Sequence, residues 1–392
     1  MSRFMLVVPP LAGHINPTLA IGRRLMAAGH EVTWVGCGRR VRALLPHDLP
    51  LIPILETAEQ DINASWMAKA QKVTGLESFQ FFYEEFLVPL ADAMLPGVLQ
   101  AIDQFQPDLI LCDQQALAGA LAARLKRITW ATLATTSAAV FNPIVQMPKV
   151  KEWMIETLGK VQDRYGLKRW ERPDLSQDLV LILSVRELIH STEDIPDHFH
   201  FMGPSLREEQ DATDFPWHLL DPERRKVYLS LGTVNAERSR KFYAKVKEAF
   251  ADPGLQLILA APADMLGPVP DHFIVQRYVP QLALLKKVDA VIFHGGHNTF
   301  CETLLHGLPA VVAPIKDDQP VIADQLVRSG AGLRVHFDRV KSADLAAATH
   351  RILDEPEFRN AARRLQTILL ESGGPAQAVD LLQSLCFRNV PQ

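Results

Sequence analysis

Short apolar runs alternate with helical stretches twice along this chain, and that alternation restricts it to a few architectures. Phe4 to Pro9 is a compact apolar run, followed by a Gly-containing loop, a helical pattern from Pro17 to Ala28, the pair Gly29-His30 and a strand pattern from Glu31 to Val35. Strand, helix and strand within about 30 residues make a βαβ unit, whose crossover connection produces a parallel sheet. Asp108 to Cys112 and Trp130 to Ala134 read as further buried strands flanking a helical stretch from Ala116 to Lys126. The second half restarts the pattern. Lys226 to Leu231 reads as a strand, Arg238 to Phe250 as a helix, and Leu255 to Ala260, Ala290 to Phe293 and Ala310 to Ala313 as strands.

At 392 residues the chain exceeds the size at which one core usually stops growing. Two doubly wound α/β domains are expected, residues 1–205 and 206–372, with a tail over 373–392 that packs back on the first domain. The link runs from Phe201-Met202-Gly203-Pro204 into the polar, acidic segment up to Asp214.

Hydrophobic residues make up 48% of the chain and charged residues 22%, ordinary values for a folded globular protein. The net charge of −4 gives no basic face for nucleic acid. Cys37, Cys112, Cys301 and Cys386 are far apart in sequence, which fits a reduced compartment better than a disulfide framework or a zinc site. His198 and His200 have no cysteine or spaced acid to complete a metal site. The apolar run after Met1 is too short for a membrane span and reads as a strand. A cytoplasmic protein, monomeric or homodimeric, without a membrane span, is expected.

The stretch from Val291 to Thr299, with His294-Gly295-Gly296 at its centre, carries the most chemistry. An apolar strand meets two glycines, and a helical pattern runs on through Glu302 to His306. Glycines let a backbone approach a ligand closely, and a helix start offers unpaired N–H groups and a favourable dipole to phosphate. Taken alone, the glycines fit a tight turn capped by Asn298 or Thr299 equally well. Glu302 lies one turn further along, where a carboxylate suits a ribose diol. Asp318 and Gln319 follow the next strand, where an acid and an amide suit sugar hydroxyls. Upstream, Tyr278 offers a ring for base stacking.

In order, these residues read aromatic-x-Pro-Gln, His-Gly-Gly-x-Asn-Thr-x-x-Glu, Gly-x-Pro and Pro-x-x-x-Asp-Gln, from Arg277 to about Gly332. This set resembles the nucleotide-sugar signature of the family 1 glycosyltransferases, which include the UDP-glycosyltransferases and the bacterial macrolide and natural-product enzymes. The resemblance implies the GT-B fold, two Rossmann-like doubly wound domains facing across a cleft. It implies that Tyr278 stacks on uracil or thymine and that Gln281 lies near base and ribose. His294, Gly296, Asn298 and Thr299 would hold the pyrophosphate, Glu302 the ribose, and Asp318 and Gln319 the sugar. Thr233 would reach phosphate from the other side. Two positions depart from the plant pattern: Tyr278 stands where Trp is usual, and Ile322 replaces a frequent Asn.

His14, in Gly13-His14-Ile15-Asn16-Pro17, follows the first strand directly, and histidine titrates in the range that deprotonation of an alcohol needs. Asp113, after the strand Asp108 to Cys112, is placed to orient it. Alone, the pair also fits a loop histidine and a helix cap. In the family, a His and an Asp in these contexts are the catalytic base and its partner. Transfer would then be a single inverting displacement, with fixed donors in place of a metal and no cofactor beyond the nucleotide sugar. Asp317-Asp318 are adjacent, so no Asp-x-Asp metal motif is present there.

Trp66, Met67, Phe82 and Phe141 are candidates for an apolar acceptor pocket, although Phe79, Phe82 and Phe86 at helical spacing fit ordinary core packing better. The expected acceptor is a small apolar alcohol such as a polyketide, macrolide, flavonoid or carotenoid. The expected donor is a UDP- or dTDP-sugar, with UDP-glucose favoured because Asp318-Gln319 suits a hydroxyl-rich hexose. The alternatives are a GT-B UDP-sugar epimerase and a silent nucleotide-sugar-binding partner protein. A dinucleotide oxidoreductase is disfavoured because Leu11-Ala12-Gly13-His14 stands where Gly-x-Gly-x-x-Gly would begin.

Overall fold

The computed structural model describes residues 1–55, 73, 75–189, 194–205, 215–232 and 236–388. The chain divides into two compact units, Met1–Arg207 with Ser372–Gln392, and Glu208–Glu371.

Among the described residues, the first unit contains β1 (Arg3–Val7), β2 (Glu31–Cys37), β3 (Leu51–Ile54), β4 (Leu109–Asp113), β5 (Trp130–Ala134), β6 (Val180–Ile182) and β7 (Phe199–Phe201). They form one parallel sheet in the order β3-β2-β1-β4-β5-β6-β7. Phe4 registers with Val32 on one side and Leu109 on the other. Because side chains alternate along a strand, Met5 and Val7 enter one apolar cluster with Ile110 and Cys112. Phe4 and Leu6 enter the opposite one with Leu109 and Leu111. Both faces are covered, which is why these strands are apolar throughout rather than alternating.

The second unit contains β8 (Arg225–Ser230), β9 (Leu255–Ala260), β10 (Phe273–Gln276), β11 (Ala290–Phe293), β12 (Ala310–Val312) and β13 (Gly332–Arg334), all parallel, in the order β10-β9-β8-β11-β12-β13. Both units are doubly wound. In each, the strand order reverses beside the first strand, between β1 and β4 and between β8 and β11. Such a reversal opens a crevice at the carboxyl ends of the two strands, since their crossover helices leave on opposite faces.

The first helix corrects the expected start at Pro17. It spans Ala12–Ala27, with extended Leu11 as its N-cap and Pro17 inside it. His14 therefore sits in the first helical turn rather than in a loop. Proline usually marks a helix start, because within a helix it forfeits one backbone hydrogen bond. Here the packing of Ile15, Ile21 and Leu25 outweighs that loss.

The C-terminal helix Gly374–Arg388 returns to the first unit, where Ala378, Leu382 and Cys386 join the cluster of Phe4 and Trp34. The Gly374 N–H donates to the Met202 carbonyl at 2.7 Å. The helical stretch Gly75–Phe105 has the length and hydropathy of a membrane span. Phe86, Leu90, Met94 and Val98 from it are buried in the core of the first unit, so it is accounted for as a core helix. No disulfide joins Cys37, Cys112, Cys301 or Cys386.

Gly22 shows how closely this core is packed. A Cβ there would lie 2.2 Å from the Trp34 ring, which is fully buried and pinned by its Nε1–H donating to Thr18 Oγ1 at 2.8 Å. Gly22→Ala is expected to destabilise the protein by about 2 kcal/mol, although alanine is the better helix former. Urea unfolding checks this, and an unchanged or raised midpoint would contradict the packing.

Candidate functional site

At the switch point of the first unit, His14 follows β1 and Asp113 ends β4. The His14 Nδ1 lies 2.9 and 3.0 Å from the two Asp113 carboxylate oxygens. The Asp113 side chain is fully buried and the His14 side chain is 14% exposed. A buried carboxylate needs partners, and Asp113 Oδ1 also accepts the Gln115 backbone N–H at 2.8 Å. The sequence-predicted pair is thus brought together, with the histidine retaining access.

Two features escaped the sequence reading. Thr135 Oγ1 lies 2.9 Å from the same His14 Nδ1. Behind Asp113, Gln114 donates from Nε2 to Asp174 Oδ2 at 2.8 Å, and Asp174 is held by Arg172 at 2.6 Å. The Arg172 guanidinium keeps the Asp174 carboxyl below its ordinary range despite burial, which pushes the other way. Thr135 is the first residue after β5, a positional signal that was legible. The Arg172–Asp174 pair had none.

At the switch point of the second unit, β11 delivers His294 and then Gly295, whose φ of 95° favours glycine. A Cβ on Gly232 would come within 2.8 Å of the His294 ring, and one on Gly296 within 2.9 Å, so two side-chain-free Cα atoms make room for the imidazole. Burial lowers the His294 pKa, partly offset by the Ser230 carbonyl, 3.5 Å from Nδ1. The helix His297–Leu305 starts on Gly296 as N-cap, without a side-chain cap. This corrects the alternative in which Asn298 or Thr299 caps the turn. Both lie inside the first turn, and the helix start offers backbone N–H groups to an anion.

Gln281 heads the helix Gln281–Leu285, and its amide links two other residues. Its Nε2 donates to Glu302 Oε2, and its Oε1 accepts from the Tyr228 hydroxyl at 2.8 Å. Thr299 Oγ1 lies 3.5 Å from the same Nε2. Burial raises the Tyr228 pKa and keeps the phenol protonated to donate. Gln281 thereby orients the Glu302 carboxylate, a contact not anticipated from sequence. Tyr278 is 83% exposed, with the Arg277 guanidinium 5.9 Å from its ring centre.

Asp318 is the N-cap of the helix Gln319–Arg328. Gln319 is buried, and its Oε1 accepts the backbone N–H groups of Ile315 and Lys316 at 2.8 and 3.1 Å. Its carbonyl thus holds its own loop, and Nε2 is the end suited to a sugar hydroxyl. The preceding Asp317 has a left-handed φ of 57°.

Among the acceptor candidates, Phe82 lies 5.5 Å from Phe86 and 5.7 Å from Tyr83, as in a packed core. Phe141 stacks on Phe201 at 6.1 Å in a separate apolar cluster. Trp66, Met67 and Thr233 lie outside the described residues.

Residues 255–385 match the family described as erythromycin biosynthesis protein CIII-like, C-terminal domain. Among curated proteins, 4'-demethylrebeccamycin synthase of Lentzea aerocolonigenes is 26% identical, over 98% of this chain and 99% of that one. The NDP-glycosyltransferase YjiC of Bacillus subtilis (strain 168) is 27% identical, over 98% and 97%. Among solved structures, the glycotransferase of kitacinnamycin superposes with a TM-score of 0.76 at 25% identity, covering 98% of this chain and 99% of that one. Together with two parallel-sheet α/β units of the GT-B architecture, these likenesses support a family 1 glycosyltransferase of the bacterial macrolide and natural-product kind.

Proposed function

We propose that this enzyme transfers a hexose from a nucleoside diphosphate, with UDP-glucose favoured, to a hydroxyl of a small apolar natural product, with inversion and without a metal ion. The buried contact between His14 Nδ1 and Asp113 carries the reading. With Nδ1–H directed to the carboxylate, Nε2 holds the lone pair that takes the acceptor proton. The acceptor oxygen then bonds to the anomeric carbon as the bond to the pyrophosphate oxygen breaks, and the nucleoside diphosphate leaves with the electron pair. One displacement inverts the anomeric carbon.

His294 and the N-terminus of His297–Leu305 would meet the charge growing on the leaving group. The bared Gly296, with Asn298 and Thr299, would seat the pyrophosphate. Tyr278 would stack on the base, Glu302 would bind ribose, and Asp318 with Gln319 Nε2 would bind sugar hydroxyls. The relatives support transfer over epimerisation, since the NDP-glycosyltransferase is named for transfer. The names of the rebeccamycin and kitacinnamycin relatives favour a natural-product acceptor.

The test is to incubate the protein, in excess chelator, with UDP-glucose or dTDP-glucose and a panel of macrolide, polyketide, flavonoid and carotenoid alcohols. The anomeric configuration of any product is read by NMR. A β-glucoside from the α-linked donor is expected. An α-glucoside, an absolute need for a divalent cation, or donor turnover without an acceptor would each overturn part of the proposal.

A further inference from the structure

The contact of Thr135 with His14 has a role still to be assigned. Three oxygens converge on one ring nitrogen: two from Asp113, at 2.9 and 3.0 Å, and the Thr135 hydroxyl oxygen at 2.9 Å. A neutral imidazole carries at most one proton on that nitrogen. The Asp113 carboxylate is the stronger acceptor for that proton, and the Thr135 hydroxyl oxygen lies within hydrogen-bond distance of the same nitrogen.

Thr135 is 5% exposed and Asp113 2%, so both oxygens act where water screens little. They come from adjacent strands. β4 ends on Asp113 and β5 stops one residue before Thr135, with Asp113 in register with Leu133. The spacing between the two anchors is therefore set by the sheet itself. The charged groups behind them are Asp174 and Arg172, joined to the strand end through Gln114.

We propose that Thr135 is a positioning residue for His14: its hydroxyl oxygen is a second acceptor for the Nδ1 proton, fixing the ring plane and stabilising the imidazolium that forms as the acceptor is deprotonated. The proposal rests on the reading of His14 as the base. A single acceptor on Nδ1 leaves the ring free to rock about that bond, whereas acceptors on two strands restrain it. The bond strengthens when the ring becomes charged, because hydrogen bonds to charged groups exceed neutral ones.

The test follows the His14 ring directly, by nitrogen NMR titration of the intact protein, in the wild type, Thr135→Val, Thr135→Ser and Asp113→Asn. Valine matches threonine in shape and removes only the hydroxyl function. Thr135→Val is expected to lower the His14 pKa by about half a unit to one unit, and Thr135→Ser to restore it. In the transfer assay, the acidic limb of the pH–rate profile should move down with it and kcat should fall about tenfold, with donor KM unchanged.

A His14 pKa that stays in place in Thr135→Val, or rises as it would if the hydroxyl donated to a bare nitrogen, overturns the proposal. A rise in donor or acceptor KM with an unmoved titration also overturns it, and would make Thr135 a substrate contact. If Thr135→Val fails to fold, Thr135→Ala takes its place under the same criteria. The titration needs no turnover, so failure of the transferase reading would appear separately, as inactivity of a wild type whose His14 still responds to Thr135.

Discussion

Replacing His14 by alanine is expected to lower kcat by ~10³ while leaving donor affinity within about twofold, because a positioned base contributes roughly that factor and does not itself hold the donor. Asp113→Asn is the more informative companion. Both carboxylate oxygens stand within 3.0 Å of Nδ1 and so favour the tautomer with its proton there. An asparagine amide would donate to Nδ1 instead, moving the proton to Nε2 and leaving no lone pair for the acceptor. The loss should therefore be about 10²- to 10⁴-fold, comparable to removal of the histidine, without loss of fold. Steady-state kinetics beside donor-binding calorimetry checks both. Parallel losses of kcat and donor affinity would place these residues in a structural role, and near-normal kcat in either variant would remove them from the chemistry.

The second large effect concerns the donor and pH. Burial holds the His294 pKa below its ordinary 6.5, so the ring is neutral at pH 7 in the free protein. A pyrophosphate beside it favours the cation and raises the pKa in the complex. Binding then takes up a proton. Affinity for UDP-glucose, whose diphosphate does not titrate near neutrality, should weaken as pH rises through the window between the free and bound pKa values. Each unit of separation corresponds to about tenfold in affinity at the extremes. In the empty protein the same depression acts on folding. Its contribution is complete above 6.5, the unfolded value, and is lost as pH falls towards the folded one.

Calorimetry in two buffers of different ionisation enthalpy would count the proton. His294→Ala should abolish the uptake and weaken binding by about 10- to 100-fold, the range expected for a lost charge-assisted hydrogen bond. Proton-independent binding, or binding that ignores the substitution, would take His294 off the pyrophosphate.

The sequence on its own determined most of the strand positions. Parallel strands covered on both faces must be apolar along their whole length, so β5, β9 and β11 were legible to the residue. It also determined the ends where chemistry could sit. In a doubly wound sheet, the residues just after a strand belong to the ligand side, whichever residues they are. Their places after predicted strands made His14, Asp113, His294 and Gly296 candidates, and the family resemblance gave them their expected roles.

Only the tertiary structure decided what those residues touch. The start of the first helix depended on burial of Ile15 and Ile21, which outweighed the usual preference for proline at a helix start. The roles of Gln281 and Gln319 turned on which partners lay within about 3 Å, Tyr228 for one and the Ile315 and Lys316 amides for the other. Thr135 and His14 are separated by 121 positions, and the Gln114–Asp174 link by 60. No local pattern encodes such pairings, because the forces that choose them are short-ranged in space and indifferent to distance along the chain. Local periodicity specifies where a strand lies, and the packing of the whole sheet specifies which side chains meet at its end.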